Sequence, residues 1–198
     1  GAGLSYGNDG PTHHAIEDIG VLKAIPNIEI YNPVDFYSIN ESFKFAKFSK
    51  KPSLIRLDKE NLYYKNKGVR RFGKGINYYK NDKSKTLIIT TGITIKVGLE
   101  IVNKINVDLI DVFKIKPFPV KEIERLIKIN KYKKIIIIDE NFRNSSIMND
   151  INYILNKLKS NADLLCKNLG ENYILGSAKR EWVWKKFNLN SGKVIKYI

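Results

Sequence analysis

The sequence contains few of the residues that build disulfides, metal centres or membrane spans. Only one of its 198 residues, Cys166, is a cysteine, so an internal disulfide is excluded, and no Cys/His spacing matches a structural zinc site. Apolar runs such as residues 135–138 are far shorter than the roughly 20 residues that a membrane-spanning helix needs. We therefore expect a reducing, cytoplasmic setting and no membrane partner.

Arginine is also scarce, although the chain is strongly basic. Lysine and arginine total 35 against 20 acidic residues, a formal net charge of +15, but only six of the 35 are arginines. Surfaces that clamp phosphate or read nucleic acid favour the planar fork of arginine. We therefore interpret the lysines as a compositional bias on solvated faces and predict no nucleic-acid partner. A non-catalytic basic α/β scaffold that binds nucleic acid or an acidic protein is the alternative from a different class.

Short β-branched runs alternate with longer amphipathic stretches, a pattern typical of parallel strands joined by crossover helices. The pattern predicts an α/β fold with a doubly wound, mostly parallel sheet in its second half. In the helix predicted at residues 35–48, Phe36, Ile39 and Phe43 form the expected buried stripe. Helices are predicted at residues 13–24, 35–48, 94–105, 120–129, 145–158 and 178–187, and strands at residues 28–31, 53–57, 86–91, 107–113, 134–139 and 162–168.

The alternation breaks down between residues 60 and 84, where tyrosine, lysine, asparagine and glycine follow no sustained period. We interpret residues 64–85 as an interdomain linker with room for a short strand or hairpin. The domain predicted at residues 86–198 is long enough to close its own sheet. The domain predicted at residues 1–63 holds only two or three strands, so we expect it to be the C-terminal portion of a larger domain.

Both histidines of the chain, His13 and His14, lie two residues after the glycine-rich residues 1–10. Glycine lets a backbone approach a ligand closely, and Thr12 is a plausible cap for the helix predicted to begin there. The two imidazoles should then project from a helix N-terminus, where the helix dipole favours the neutral ring. A neutral histidine can transfer a proton or donate a hydrogen bond to a substrate oxygen. The alternative is structural, with His13 capping the helix and His14 exposed.

Residues 7–18 read Gly-Asn-Asp-Gly-Pro-Thr-His-His-Ala-Ile-Glu-Asp, and together with residues 22–27 and 33–35 they resemble the pyrimidine-binding domain of the transketolase family. Residues 52–62 resemble the strand that closes this domain, and residues 90–94 and 114–118 resemble the family's C-terminal domain. The resemblance spans nearly the whole chain and is strongest to the C-terminal subunit of split transketolases. It implies a transferase of carbohydrate metabolism that uses thiamine diphosphate and Mg²⁺ to move a two-carbon ketol unit between a ketose and an aldose.

The resemblance also implies roles for individual residues. Asp9 corresponds to an acidic residue that hydrogen-bonds a substrate hydroxyl, and His13 to the histidine that contacts the substrate oxygen and moves protons during catalysis. His14 stands where transketolases usually have glutamine, so its substrate-binding role is open. Lys59 aligns with an arginine that binds the substrate phosphate. Arg56 is a second basic candidate on that strand, and an ion pair at a domain edge is an equally good interpretation of it.

Several parts of the family's active site are missing from the sequence. Gly1 stands where transketolases usually have another histidine, so one substrate contact is absent. The glutamate and the aromatic residue that hold the pyrimidine ring, and the ligands of the Mg²⁺–diphosphate group, are not recognisable here. In the family they lie upstream, or in a separate domain that some members carry as a separate subunit. We therefore expect an N-terminal region or partner subunit, in a homo- or heterodimer or a heterotetramer, and no catalysis by this chain alone.

Two other enzymes with the same cofactor provide alternatives: deoxyxylulose phosphate synthase and the beta chain of a 2-oxo acid dehydrogenase. Residues 11–18 fit both less well than they fit split transketolases. Residues 139–141, Asp-Glu-Asn at a predicted strand end, resemble the family's Glu-Glu/Asp position without the glycines that normally follow. We assign these residues to packing and subunit contact. Trp182 and Trp184 lie two apart on a predicted helix, so at most one of them belongs to the core.

Overall fold

Strands and helices alternate along the computed structural model, which describes residues 1–60, 74–81 and 84–198 and the backbone of residues 69–72. The strands are β1 (Glu29–Tyr31), β2 (Ser53–Ile55), β3 (Val69–Phe72), β4 (Ile76–Tyr79), β5 (Thr86–Thr90), β6 (Asp108–Val112), β7 (Lys114–Lys116), β8 (Lys134–Ile138) and β9 (Asp163–Lys167). The helices are α1 (Asp18–Ala24), α2 (Phe36–Phe48), α3 (Ile95–Val102), α4 (Val120–Asn130), α5 (Met148–Leu158), α6 (Arg180–Lys186) and α7 (Ser191–Val194). No helix of the described residues is long and apolar enough to cross a bilayer.

The larger sheet has the strand order β3-β4-β6-β5-β8-β9. Strands β6, β5, β8 and β9 run parallel, and β3 and β4 add an antiparallel hairpin at one edge. Successive side chains of a strand point to opposite faces. Accordingly, Ile136 and Ile138 of β8 join one apolar core, and Ile135 and Ile137 join the other, all fully buried. The predicted α/β fold with a doubly wound, mostly parallel sheet is confirmed.

The strand order of this sheet reverses at β5. From β5 it passes through α3 to β6 on one side, and it later returns to place β8 on the other side of β5. The carboxyl ends of β5 and β8 therefore flank the topological switch point, the place where open α/β sheets usually bind their ligands.

A smaller sheet, with the order β2-β1-β7, joins the two halves of the chain. Strand β1 pairs in parallel with β2 and antiparallel with β7, a short strand that the sequence did not reveal. Beside this pair the Asn32 amide donates a hydrogen bond to the Phe113 carbonyl at 2.8 Å. The N-terminal residues are thus tied to the second half of the chain by backbone pairing.

The linker predicted at residues 64–85 lies partly outside the described residues, which omit 61–68, 73, 82 and 83. In its described part, β3 and β4 pair with each other and β4 pairs with β6, so this segment contributes to the larger sheet. The domain boundaries at residues 63 and 86 stay a prediction.

The helix predicted to begin at residue 13 begins at Asp18, so the prediction that the histidines project from a helix N-terminus is wrong. The cause is a backbone bridge in which the Gly3 amide donates to the Ala15 carbonyl at 3.0 Å and the Ala15 amide donates to the Gly3 carbonyl at 2.9 Å. This bridge holds residue 15 outside a helix. The other predicted helices and strands are present, with ends within three residues of the prediction.

The predicted buried stripe of α2 is also wrong. Phe36 is 86% exposed and Phe43 is 54% exposed, whereas the buried residues of the helix are Ser38 and Ser42. Asp35 caps the helix by accepting a hydrogen bond from the Ser38 amide at 2.7 Å. The Ser38 hydroxyl in turn accepts one from the Asp35 amide at 3.1 Å, which completes a capping box. The small serine face therefore packs inward, and the aromatic face points to solvent.

Candidate active site

The glycine-rich segment forms two consecutive 3-10 turns, Gly7–Asp9 and Pro11–His13. Gly10 joins them with a φ of 83°, a conformation that favours glycine. Asp9 and His13 end the two turns, and both side chains are exposed to solvent. Residues 1–14 are called the glycine turn below. It presents a carboxylate and an imidazole on one short, doubly folded segment.

The His13 ring has a defined local contact. Its Nδ1 lies 3.0 Å from the Thr12 hydroxyl oxygen, so Nε2 faces away from Thr12. An exposed imidazole can accept or donate a proton, and the exposed Asp9 carboxylate on the preceding turn can accept hydrogen bonds from hydroxyl groups. The two groups together suit a polyhydroxylated ligand.

His14 lies inside the glycine turn and does not face solvent. The residue is only 7% exposed, and its Nε2 lies 3.4 Å from the Gly7 carbonyl oxygen. Its Nδ1 is buried and has no hydrogen-bond partner within the described part of the chain. The ring therefore packs against the backbone of the Gly7–Asp9 turn, and its substrate-binding role stays a prediction.

Arg56 is buried, and its guanidinium donates hydrogen bonds to several parts of the fold. It donates to Asp18 at 2.8 Å, to Asn32 at 3.2 Å and to Asn141 at 3.0 Å, and it also donates to the Ala15 carbonyl. These partners belong to α1, the end of β1 and the loop after β8. Of the two interpretations of Arg56, the structure shows the ion pair between parts of the fold.

Lys59, the other basic candidate, is exposed next to the glycine turn. Its Nζ lies 4.5 Å from the centroid of the Tyr6 ring, a cation–π contact that holds the ammonium group on the side of the turn. Of the five predicted site residues, the structure thus exposes Asp9, His13 and Lys59 and buries His14 and Arg56.

A buried charge cluster around Arg180 was not identified from the sequence. The Arg180 side chain, only 4% exposed, donates to Glu60 at 2.7 Å and forms a two-pronged ion pair with Asp58, and its Nε lies 3.1 Å from Glu140. Burial opposes the charged form of Arg180, but Glu140 and Asp58 outweigh this and raise its pKa. One signal could have identified the cluster: an arginine in a chain whose cations are mostly lysines often has a bidentate partner.

The acids of this cluster respond differently to the same arginine. Burial raises the pKa of Glu140, and the Arg180 guanidinium only partly offsets the rise. Burial also acts on Glu60, but hydrogen bonds from Lys96 and Arg180 outweigh it and lower the pKa of Glu60.

Trp184, the buried member of the predicted tryptophan pair, donates from its indole to Glu140 at 2.9 Å, whereas Trp182 is 53% exposed.

The cluster fills the switch point of the larger sheet. A narrow crevice of about 10 Å³ remains there, lined by residues that include Arg56, Asp58, Glu140 and Asn141. Side chains from the first 60 residues therefore occupy the edge that usually binds a ligand in such sheets. Residues 139–141 are buried and pack within this chain, as predicted, and their subunit contact stays a prediction.

The described residues can be compared with what a Mg²⁺ ion and the diphosphate of the cofactor require. Within them, no three histidine, cysteine or carboxylate side chains group together as a metal site. The glycine turn offers one exposed carboxylate and one exposed imidazole on an open surface. The chain's own residues therefore fit substrate contacts better than contacts with the cofactor's diphosphate.

Comparison with known proteins identifies the family of this chain. Residues 1–65 match the family model of the transketolase pyrimidine-binding domain, and residues 77–194 match that of the transketolase C-terminal domain. The chain is 28% identical over 193 residues to 1-deoxy-D-xylulose-5-phosphate synthase of Malacoplasma penetrans, covering 96% of this chain and 31% of that protein. It is 30% identical over 100 residues to transketolase of Kluyveromyces lactis, covering 49% of this chain and 15% of that protein.

Solved structures share the fold. A split gene transketolase, described as an inactive beta4 tetramer, superposes with a TM-score of 0.75 at 18% identity, covering 94% of this chain and 61% of that chain. Transketolase from Campylobacter jejuni superposes with a TM-score of 0.77 at 18% identity, covering 99% of this chain and 30% of that chain. The chain thus spans about a third of the length of the Malacoplasma penetrans synthase. With its match to the transketolase C-terminal domain, it corresponds to the C-terminal part of such proteins. Its two consecutive domain matches show that the chain belongs to the transketolase family.

Proposed function

We propose that this chain is the substrate-orienting part of a thiamine diphosphate-dependent transferase that moves a two-carbon ketol unit between a ketose and an aldose. The observation that carries the proposal is the exposure of Asp9 and His13 on consecutive turns of one glycine-built segment. A carboxylate and an imidazole held this way can bind sugar hydroxyls and move a proton at a substrate oxygen.

Each residue has a distinct role in this proposal. Asp9 accepts a hydrogen bond from a substrate hydroxyl, and His13 transfers a proton at the substrate oxygen. Lys59 neutralises an anionic end of the substrate as a point charge, since its ammonium group lacks the fork of an arginine. Arg56 and His14 act as positioning residues, because their side chains are buried against Asn141 and Gly7 respectively.

The remaining parts of the active site are proposed to lie outside this chain. Thiamine diphosphate supplies the carbanion chemistry when bound, and its ligands, with those of Mg²⁺, belong to an N-terminal region or a partner subunit. Two facts support this: the chain spans about a third of its first relative, and the similar split gene transketolase is described as inactive in its beta4 form. We propose a dimer or heterotetramer in the cytoplasm as the working assembly.

The test is a His13→Ala variant in the complete assembly. General acid–base catalysis contributes roughly 10²- to 10⁴-fold to rate, so we expect kcat to fall by about that factor. Cofactor affinity should change little, because the cofactor's ligands lie elsewhere. Titration of thiamine diphosphate and steady-state kinetics measure both quantities. Lys128→Ala, an exposed change on α4, is the matched control. Unchanged turnover in the His13 variant would remove this residue from the mechanism.

Deoxyxylulose phosphate synthesis is the second candidate, because the synthase of Malacoplasma penetrans aligns with 96% of this chain. Both reactions use the same cofactor, and they differ in the donor. Product analysis with pyruvate or with a ketose as the donor separates them. Turnover with pyruvate but not with a ketose would favour the synthase and overturn the ketol-transfer proposal.

A further inference from the structure

The glycine turn rests directly on the carboxyl end of β8. The Leu4 amide donates to Glu140 Oε1 at 3.1 Å, and this bond joins residues 136 positions apart in sequence. Gly3, with a φ of 56°, lies so close that a Cβ added to it would fall 1.9 Å from Glu140 Oε1. A side chain at this position would have to displace the Glu140 carboxylate, so the start of the turn is in backbone contact with Glu140.

Arg180 holds the same turn from a second direction. Its Nη2 lies 3.4 Å from the Ala2 carbonyl oxygen and 3.5 Å from the Ser5 hydroxyl oxygen. Just before α6, the Ala178 amide donates to the Gly7 carbonyl at 3.1 Å. The backbone from residue 2 to residue 7 therefore has contacts with the larger sheet and with α6, and Asp9 and His13 follow directly after it.

Glu140 and Arg180 also hold each other in place. Arg180 Nη2 donates to Glu140 Oε1 at 3.1 Å, and the Trp184 indole donates to Glu140 Oε2 at 2.9 Å. Both carboxylate oxygens are thus oriented, and the guanidinium is fixed by Asp58 and Glu60 on its other side. Buried charges with such fixed partners allow few alternative arrangements.

We propose that Glu140 and Arg180 are positioning residues that hold the glycine turn, and with it Asp9 and His13, in the geometry required for turnover. The C-terminal sheet thereby uses its switch point to orient the active-site turn rather than to bind a ligand of its own. This inference rests on the proposed function only for its catalytic consequence, because the effect on the turn is measured independently.

The experiment compares Glu140→Gln with Glu124→Gln. Glu124 forms an ion pair with Lys157 between α4 and α5 and serves as a matched control away from the turn. Leu4 and Trp184 donate to different oxygens of Glu140, and glutamine replaces one of these oxygens with an NH2 group, so one of the two donors loses its acceptor and the charge that pairs with Arg180 is removed. We expect amide hydrogen exchange at Leu4 and Gly7 to speed up at least ~10-fold, with β5 and β8 amides unchanged. In the complete assembly, kcat should fall about 10- to 100-fold, with cofactor affinity retained.

Arg180→Lys provides a second variant if Glu140→Gln does not fold. It keeps the buried positive charge but loses the fork that contacts both the carboxylates and the turn, and we expect the same local rise in exchange. Unchanged exchange at Leu4 and Gly7 in a folded variant, or an equal rise throughout the sheet, would overturn the proposal. So would normal kcat despite a loosened turn. Parallel kinetics of the His13→Ala variant separate this proposal from the proposed function. Normal turnover of that variant would refute the catalytic role of His13, while the exchange data would still test whether Glu140 and Arg180 hold the glycine turn.

Discussion

Asp111 of β6 is a buried acid that forms no ion pair within the described residues. It is 1% exposed and accepts a hydrogen bond from the Asn77 side-chain amide at 3.4 Å. Burial raises the pKa of Asp111 well above its ordinary value, and the Asp35 carboxylate adds to the rise. One oxygen of Asp111 has no hydrogen-bond partner within the described residues. The folded state therefore favours the protonated form.

This shift predicts that Asp111→Asn stabilises the protein at neutral pH. A carboxyl whose pKa is higher in the folded than in the unfolded state contributes stability below its unfolded pKa, about 4. That contribution is lost as the pH rises through the folded pKa. We expect the variant to raise the free energy of unfolding at pH 8 by at least about 1 kcal/mol, with a smaller gain at pH 4. Urea denaturation at both pH values measures this. Asp163→Asn, at an exposed position of β9, should show no such gain. A lower unfolding free energy for Asp111→Asn at pH 8 would contradict the argument.

At the scale of elements, α2 shows how capping and packing decide which face of a helix is buried. The Asp35–Ser38 capping box sets where the helix begins, and Ser38 and Ser42 then face the interior. Three aromatic side chains, Phe36, Phe43 and Phe48, remain more than half exposed. Exposed rings contribute little to folding, because apolar stabilisation scales with the area removed from water.

Phe36→Ser and Phe48→Ser should therefore change the free energy of unfolding of this chain by no more than about 0.5 kcal/mol each. Ile135→Ala, which removes a fully buried side chain of β8, should cost about 2–5 kcal/mol in the same denaturation assay. A loss of several kcal/mol from either phenylalanine variant would show that the aromatic face of α2 is covered in the isolated chain.

At the scale of the whole molecule, Arg56 connects parts that are distant in sequence. Its guanidinium joins α1, the end of β1 and the loop after β8, and β7 joins the smaller sheet to the second half of the chain. The two predicted domains are thus linked by a buried cation and by a shared sheet, and they should unfold together.

Arg56→Ala should lower the free energy of unfolding by about 3–5 kcal/mol, because it leaves buried polar partners without their cation. Lys59→Ala, on the same segment but exposed, should leave stability within about 0.5 kcal/mol and weaken the binding of anionic substrates in the complete assembly. Denaturation followed by two probes, near and far from the glycine turn, measures both stability and coupling. Equal stability of the two variants would argue against Arg56 as the connection between the halves.

Much of this architecture follows from patterns that are local in sequence. Fully buried runs such as residues 135–138 identify central strands, because parallel strands covered on both faces contain few polar residues. The glycine-rich segment with its two histidines, together with the spaced blocks that follow it, indicates the family, which the domain matches confirm. The placement of Asp9 and His13 on exposed turns is consistent with the predicted site, and their roles stay a prediction.

Amino-acid order alone determined the alternation of strands and helices and the family, since both depend on residues that are neighbours in the chain. Only the tertiary structure decided that the helix after the histidines begins at Asp18, that the serine face of α2 packs inward, and that Arg180 lies among Asp58, Glu60 and Glu140. These features depend on contacts between segments far apart in sequence, such as the bond from Leu4 to Glu140. The energy of a buried charge depends on which distant groups surround it, and a local pattern does not contain that information.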